Sequence, residues 1–139
     1  MLIIVLLTLT ACTQTKIEAK DISALAPKEV VESYFNSWAA KDYQTMYSLI
    51  SDGFKKIEPT ATTYDKFEAE ISKYYDTANG IKLLETGDVA IEGDSATVSY
   101  KIELGLKTGK KTYDGVYTLR KRANGWKLIH PYGQNIDTS

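Results

Sequence analysis

Ala96-Thr97-Val98-Ser99-Tyr100-Lys101-Ile102-Glu103-Leu104-Gly105-Leu106 alternates apolar and polar side chains along almost its whole length. Successive side chains of a strand point to opposite faces. Ala96, Val98, Tyr100, Ile102, Leu104 and Leu106 therefore share one face, and Thr97, Ser99, Lys101 and Glu103 the other. This is a half-buried strand of fixed register, because a slip of one residue would turn every apolar group to water. Working outward, Gly93-Asp94 precedes the strand, Thr108-Gly109 follows it, and Asn124-Gly125 recurs further on; all three are hairpin turn chemistry. The expected strands are 82–91, 96–106, 111–122 and 126–130, and their short connections make an antiparallel meander.

Upstream of residue 80 the period changes from two to that of a helix. Pro27 suits a first helical position, and Glu29 places negative charge at the positive end of the helix dipole. Val30, Val31, Tyr34, Phe35 and Trp38 then form one apolar stripe. Asp42 is the expected N-cap of a second helix that turns Tyr43, Met46, Tyr47, Leu49 and Ile50 inward. Gly53 and Pro59 punctuate the loop expected next. Thr62 or Thr63 caps a third helix whose Phe67, Ile71, Tyr74, Tyr75 and Ala78 share a face, and Asn79-Gly80 ends it. Three helices followed by four hairpin-linked strands predict an α+β domain, with the helices packed on one face of the sheet.

Two stretches carry a resemblance to a known family. Pro27-Lys28-Glu29-Val30-Val31-Glu32-Ser33-Tyr34-Phe35, with Trp38-Ala39-Ala40-Lys41-Asp42-Tyr43 and Leu49-Ile50-Ser51, resembles the opening of nuclear-transport-factor-2-like domains. Tyr117-Thr118-Leu119-Arg120-Lys121, with Asn124-Gly125-Trp126-Lys127-Leu128, resembles their final hairpin. The resemblance implies a strongly curved sheet wrapped round the helices into a cone with a pocket at its wide end. Such domains include ligand-binding lipoproteins, accessory domains of cell-wall enzymes, transport adaptors, isomerases and dehydratases, and the fold does not choose among them.

The N-terminus carries an address. Met1 to Thr10, MLIIVLLTLT, is uncharged and apolar. It is too short for the roughly 20 helical residues that span a membrane, and it fits the apolar stretch of an export signal. Leu9-Thr10-Ala11-Cys12 follows directly and resembles the lipobox of bacterial lipoproteins. That resemblance implies cleavage before Cys12 and a diacylglyceryl thioether on its sulfur, although the basic residue that usually opens such signals is missing before Lys16. Two acyl chains make anchoring stable where one is marginal. Cys12 is the single cysteine of the chain, so no internal disulfide competes for it. The expected organisation is a leader at 1–11, a lipidated Cys12 with a polar tether over 12–26, the domain at 27–133 and a tail at 134–139. The expected location is the extracytoplasmic side of the cell membrane, with membrane lipid as the first partner.

Composition narrows the function classes. The 139 residues hold 17 basic and 18 acidic side chains, for a net charge of −1. That lacks the basic footprint of nucleic-acid binding, and the interspersed Lys and Glu read as a solvated surface. Ten Tyr and two Trp stand against three Phe. These amphipathic rings suit a half-wet cavity or a partner surface. Tyr34, Trp38, Tyr100 and Tyr117 are the side chains expected near a pocket, with closed core packing as the alternative, above all for Trp38.

A search for chemistry finds little. His130, the only histidine, reads as a surface residue at a strand end. No nucleophile elbow is present, and no His, Cys or carboxylate cluster has metal-ligand spacing. Gly105-Leu106-Lys107-Thr108-Gly109-Lys110-Lys111 fails as a phosphate loop, because the glycines are one residue too close, Lys stands where Ser or Thr should bind magnesium, and a strand follows. It reads as a lysine-rich hairpin, with anionic headgroups as a further use of its charge. Glu103 and Asp114 fall on the faces opposite Tyr100 and Tyr117, Asp42 is spent as a cap, and Glu85 shares parity with Val89 and Ile91 unless Gly87 introduces a bulge. The cone is therefore expected to lack a base. The reading is a non-catalytic envelope lipoprotein, without cofactor or metal, that binds a small apolar or amphipathic ligand or an envelope protein. Its alternatives are a structural accessory domain without ligand and an isomerase- or dehydratase-like enzyme.

Overall fold

Pro27, with its ring-fixed φ and no amide hydrogen, opens the first helix of a computed structural model that describes residues 21–133 and Asp137. Side chains of residues 74–79 are excepted. The leader, Cys12 and the tether through residue 20 lie outside the described residues, as do the side chains of Tyr74, Tyr75 and Ala78 on the expected third-helix face.

Among the described residues, helices α1 (Pro27–Ala39), α2 (Tyr43–Leu49), α3 (Asp52–Ile57) and α4 (Tyr64–Thr77) precede strands β1 (Ala78–Glu92), β2 (Ser95–Leu106), β3 (Gly109–Arg122) and β4 (Gly125–Leu128). Short 3-10 turns lie at Ile22–Ala24 and Pro59–Ala61. The starts follow capping chemistry. Glu29 reaches back to accept from the Ala26 amide at 2.9 Å. Asp42 accepts from the Thr45 amide at 3.1 Å and its hydroxyl at 2.6 Å. Thr63 accepts from the Lys66 amide at 3.3 Å. Each satisfies a donor that the first helical turn leaves without a partner.

One expectation fails here. The segment after Ile50, read as a loop on account of Gly53, is α3. Ser51 caps it, its hydroxyl accepting from the Phe54 amide at 2.9 Å. Gly53 is not a breaker but a space: a Cβ there would land on the carboxylate of Asp137. Asp137 itself, beyond the boundary expected at residue 133, is 2% exposed. It takes a hydrogen bond from the Ser51 hydroxyl and lies 3.6 Å from the Arg122 guanidinium. The segment expected to be a tail thus returns to the domain at this point.

The sheet is antiparallel in the order β1-β2-β3-β4, so the meander and the α+β class hold. β2 and β3 pair without a break from Ser95↔Arg120 to Leu106↔Gly109. β1 slips register between Leu83 and Glu85 and again between Thr86 and Val89, the second around Gly87. β1 starts at Ala78, directly off α4, and β4 ends at Leu128, although the Ile129 amide still donates to Thr118 at 3.1 Å. Beyond β4 the chain of Ile50 and Ser51 runs alongside: Ile50 bridges Leu128 in parallel, and the Ser51 amide donates to the Leu128 carbonyl at 2.9 Å.

The core lies between this sheet and the helices. Val30, Val31 and Phe35 of α1, Met46 and Leu49 of α2, and Val98, Leu119 and Leu128 of the sheet are all essentially inaccessible. Full burial of such a side chain contributes about 1.5–3 kcal/mol. Their positions place the apolar parity of β2 inward, with Lys101 and Glu103 outward, where they meet Asp114 at 3.6 Å and Lys110 at 2.9 Å respectively.

Candidate functional site: an aromatic cluster inside the cone

Tyr34, Trp38, Tyr100 and Tyr117 come together. α1 supplies the first two from one stripe, and adjacent inward positions of β2 and β3 supply the others. Tyr34 meets Trp38 edge-on with centroids 6.4 Å apart and Tyr117 at 5.8 Å; Tyr100 stacks on Tyr117 at 5.0 Å. Phe35, which the search for amphipathic rings passed over, is the hub. It lies 4.7 Å from Tyr100, 5.7 Å from Tyr117 and Tyr34, and 6.4 Å from Trp38. Its adjacency to Tyr34 and its three-residue spacing to Trp38 were the available signal. Gly115 makes the arrangement possible, because the Tyr100 ring crosses the space where a Cβ at that position would sit.

Five rings with edge-on and stacked contacts fill the space they enclose, and such pairs contribute about 0.5–1.5 kcal/mol beyond their area. Burial pushes the ionisation of Tyr34, Tyr100 and Tyr117 above the ordinary tyrosine range, most strongly for Tyr34 and Tyr117, whose hydroxyls pair. These are neutral hydroxyls without basic character at physiological pH. A cavity of about 260 Å³ lies beside the cluster. Only Tyr34 of the four expected pocket residues lines it; Phe54, Phe67 and Ile71 supply apolar wall, and Glu58 and Glu70 supply charge.

Glu58 brings in His130. The imidazole is 8% exposed, not a surface group: Phe54 packs edge-on against it at 5.0 Å, and the largely exposed Tyr132 ring touches it at 5.6 Å. Its Nε2 lies 3.2 Å from the Glu58 carboxylate, and its Nδ1 accepts from the Tyr132 amide at 3.2 Å. The second bond requires Nδ1 to carry the lone pair, so Nε2 bears the hydrogen given to Glu58. Both nitrogens are engaged. Bonds from the Thr60 hydroxyl and amide, with a smaller effect from His130, hold the Glu58 carboxyl below its usual range. That makes it a weak base and a poor proton donor. Distant contacts in sequence created this pair, and no local pattern announced it.

The remaining candidates fall elsewhere. Glu85 pairs with Lys101 in register and is exposed on the outer face. Among the described residues, no group of three or more His, Cys, Asp or Glu could hold a metal ion, and no helix is long and apolar enough to cross a membrane. The lysine-rich hairpin after β2 sits at the opposite end of the sheet from the 3-10 turn where the chain comes in. That turn packs on Gly125, a Cβ on which would stand 2.7 Å from the Ser23 carbonyl. The twelve residues of β2 separate the ends by about 40 Å.

Comparison with known proteins fits this architecture. A search of curated proteins finds no match. The solved structures that resemble the chain do so at low identity. A SEC-C motif containing protein from Rhodopseudomonas palustris aligns with a TM-score of 0.57 at 12% identity, covering 76% of each chain. An NTF-2 like protein of unknown function from Shewanella oneidensis aligns at 0.53 and 11%, covering 73% of this chain and 90% of that one. A putative dehydratase of the NTF2-like family from Streptomyces avermitilis aligns at 0.51 and 16%, covering 73% and 88%. Such likeness speaks for the fold alone. The family profile described as the NTF2-like N-terminal transpeptidase domain matches residues 26–131, most of the chain and nearly all of the described residues. The chain belongs to the family of NTF2-like N-terminal transpeptidase domains.

Proposed function

We propose that this chain is a lipid-anchored module of the cell envelope whose domain is non-catalytic and engages a protein partner, with the cone closed by its own side chains. The observation that carries the reading is the mutual packing of Tyr34, Phe35, Trp38, Tyr100 and Tyr117. The space between α1 and the inward faces of β2 and β3 is occupied here by rings. The neighbouring cavity, about 260 Å³, is smaller than ligand pockets, which run from about 300 to 1,000 Å³, and the space of about 390 Å³ that Tyr100 lines opens among the outward-facing Ser99, Lys101 and Asp114. The Glu58–His130 pair beside it has both imidazole nitrogens spent. Membership in a family named for transpeptidases supports a setting at the cell wall.

Cys12 supplies the anchor in this reading, through a thioether to diacylglycerol. Mass spectrometry of the protein from its own host is expected to find a mature chain starting at a diacylated Cys12. Cys12→Ala is expected to yield an uncut chain that keeps Met1. An unmodified full-length chain in the cytosol would dispose of the anchor. Native mass spectrometry of the same material tests the closed cone: a bare lipidated chain is expected, and a stoichiometric small molecule would restore the ligand-binding alternative.

A further inference from the structure

Lys127 is a lysine that the domain buries without giving it a counter-charge of its own. Its residue is 4% exposed, and its ammonium donates to the Ser48 carbonyl at 2.7 Å. Burial, with the charge of Lys55 nearby, lowers its affinity for its proton, and Asp52 offsets this only in part. A buried charge without full compensation is costly, and side chains held that way concentrate at sites that meet an opposite charge.

The surroundings fit that expectation. Lys127 lines a cleft of about 460 Å³ between the end of α2, α3 and the β3–β4 turn, together with Lys55, Arg122 and Asn124. Lys55 is held there by Asp52 at 3.6 Å and by the face of Tyr47 at 4.4 Å. Arg122 is held by Asp137 at 3.6 Å, and its buried Nε has no hydrogen-bond partner among the described residues. Three cations thus face one concavity. One carboxylate, Asp52, also lines the cleft, but its side chain is 81% exposed and paired with Lys55; the other, Asp137, is turned to Ser51 and Arg122. Asn124 adds an amide donor. This is the donor set that binds a phosphate group.

We propose that the cleft formed by Lys55, Arg122, Asn124 and Lys127 binds a phosphate-type oxyanion, supplied by the headgroup of an anionic lipid. The source follows from where the cleft sits. The turn that carries Arg122 and Asn124 ends at Gly125, against which the incoming 3-10 turn packs at Ser23. In the anchored reading, on which the choice of a lipid source rests, eight residues separate Cys12 from Asp21. Fully extended they reach about 30 Å, so the cleft, next to the point where the chain enters the domain, stays within reach of the membrane surface, while the lysine-rich hairpin lies about 40 Å further along β2. A headgroup in the cleft would turn a swinging domain into an oriented one.

The full chain, kept soluble in a neutral detergent, is titrated with inorganic phosphate while the amide and Lys127 ammonium signals are followed by NMR. Saturable shifts centred on Asn124 and Lys127 are expected. Lys127→Met, which fills the same space without charge, is expected to weaken binding by about tenfold or more. Lys55→Gln, on the cleft wall and less buried, serves as the second variant should Lys127→Met perturb the fold. The chain is then placed in nanodiscs of phosphatidylcholine alone or with phosphatidylglycerol. Cleft shifts seen only with phosphatidylglycerol support the lipid source. Shifts with phosphate and none with phosphatidylglycerol overturn the lipid source and leave a soluble phosphoester in its place. No saturable response to phosphate, or one unchanged in both variants, overturns the site. The phosphate arm does not depend on acylation, so loss of the anchor and loss of the cleft give different results.

Discussion

Gly53→Ala is the substitution whose sign the structure determines against the usual expectation. Gly53 lies inside α3 with an ordinary helical backbone, where Ala normally stabilises by about 0.8–1 kcal/mol. Here the new methyl group would occupy the position of the Asp137 carboxylate. Asp137 would have to leave, breaking its bond from the Ser51 hydroxyl and its pairing with Arg122. A hydrogen bond to a charged group contributes about 1.5–3 kcal/mol, so the net change should be a loss of about 1–2 kcal/mol. In an Asp137→Ala background the obstacle is gone, and the same Gly53→Ala change should stabilise by about 1 kcal/mol. Urea denaturation of the four proteins in this cycle reads the result directly. With a slope of about 1–3 kcal/mol per molar urea, the two Gly53→Ala steps should move the midpoint in opposite directions by several tenths of a molar. Equal stabilisation in both backgrounds would refute the claim that Asp137 is seated over Gly53.

Other outcomes follow from the same geometry. Phe35→Ala should cost about 3–5 kcal/mol by calorimetry, since it empties the hub of the aromatic cluster, whereas Val116→Lys at a 64% exposed position should stay within about 0.5 kcal/mol. Asp42→Ala should cost about 1 kcal/mol through loss of the α2 cap, and unchanged stability would show that Thr45 finds another acceptor. Tyr34 and Tyr117 ionise in the folded state only well above the unfolded value of about 10. The unfolded chain therefore loses those protons first, and the stability they contribute is intact below pH 10 and falls as pH climbs beyond it. Urea midpoints measured from pH 8 to 11 should decline less steeply in Tyr34→Phe, and parallel declines would contradict the direction of the shift.

What could be read from the sequence was what repeats locally. The alternation through Ala96, Val98 and Ile102 identified the buried face of β2, and the stripe on α1 identified the partner surface, because each residue's burial follows from its neighbours at a fixed spacing. Asp42 and Thr63 were legible as caps for the same reason. Gly53 was misread because a glycine does not disclose whether it is small for the sake of its backbone or of a visitor, and its visitor lies 84 residues away by the numbering. His130 was misread because it is enclosed by Phe54 and Glu58, more than seventy residues earlier in the chain. Lys127 looked like one more solvated cation. Its shielding depends on the end of α2, and no pattern within β4 records that helix.

The two borders of the sheet are finished differently, and this bears on how copies of the protein behave when crowded. One border is already occupied, since the segment at Ile50 and Ser51 bonds to Leu128. The other belongs to β1, whose slips around Leu83–Glu85 and Thr86–Val89 interrupt any straight ladder. An intruding strand would find a few consecutive bonding partners at most before losing step. A domain built largely from long strands can therefore be concentrated without its sheets joining edge to edge into fibres.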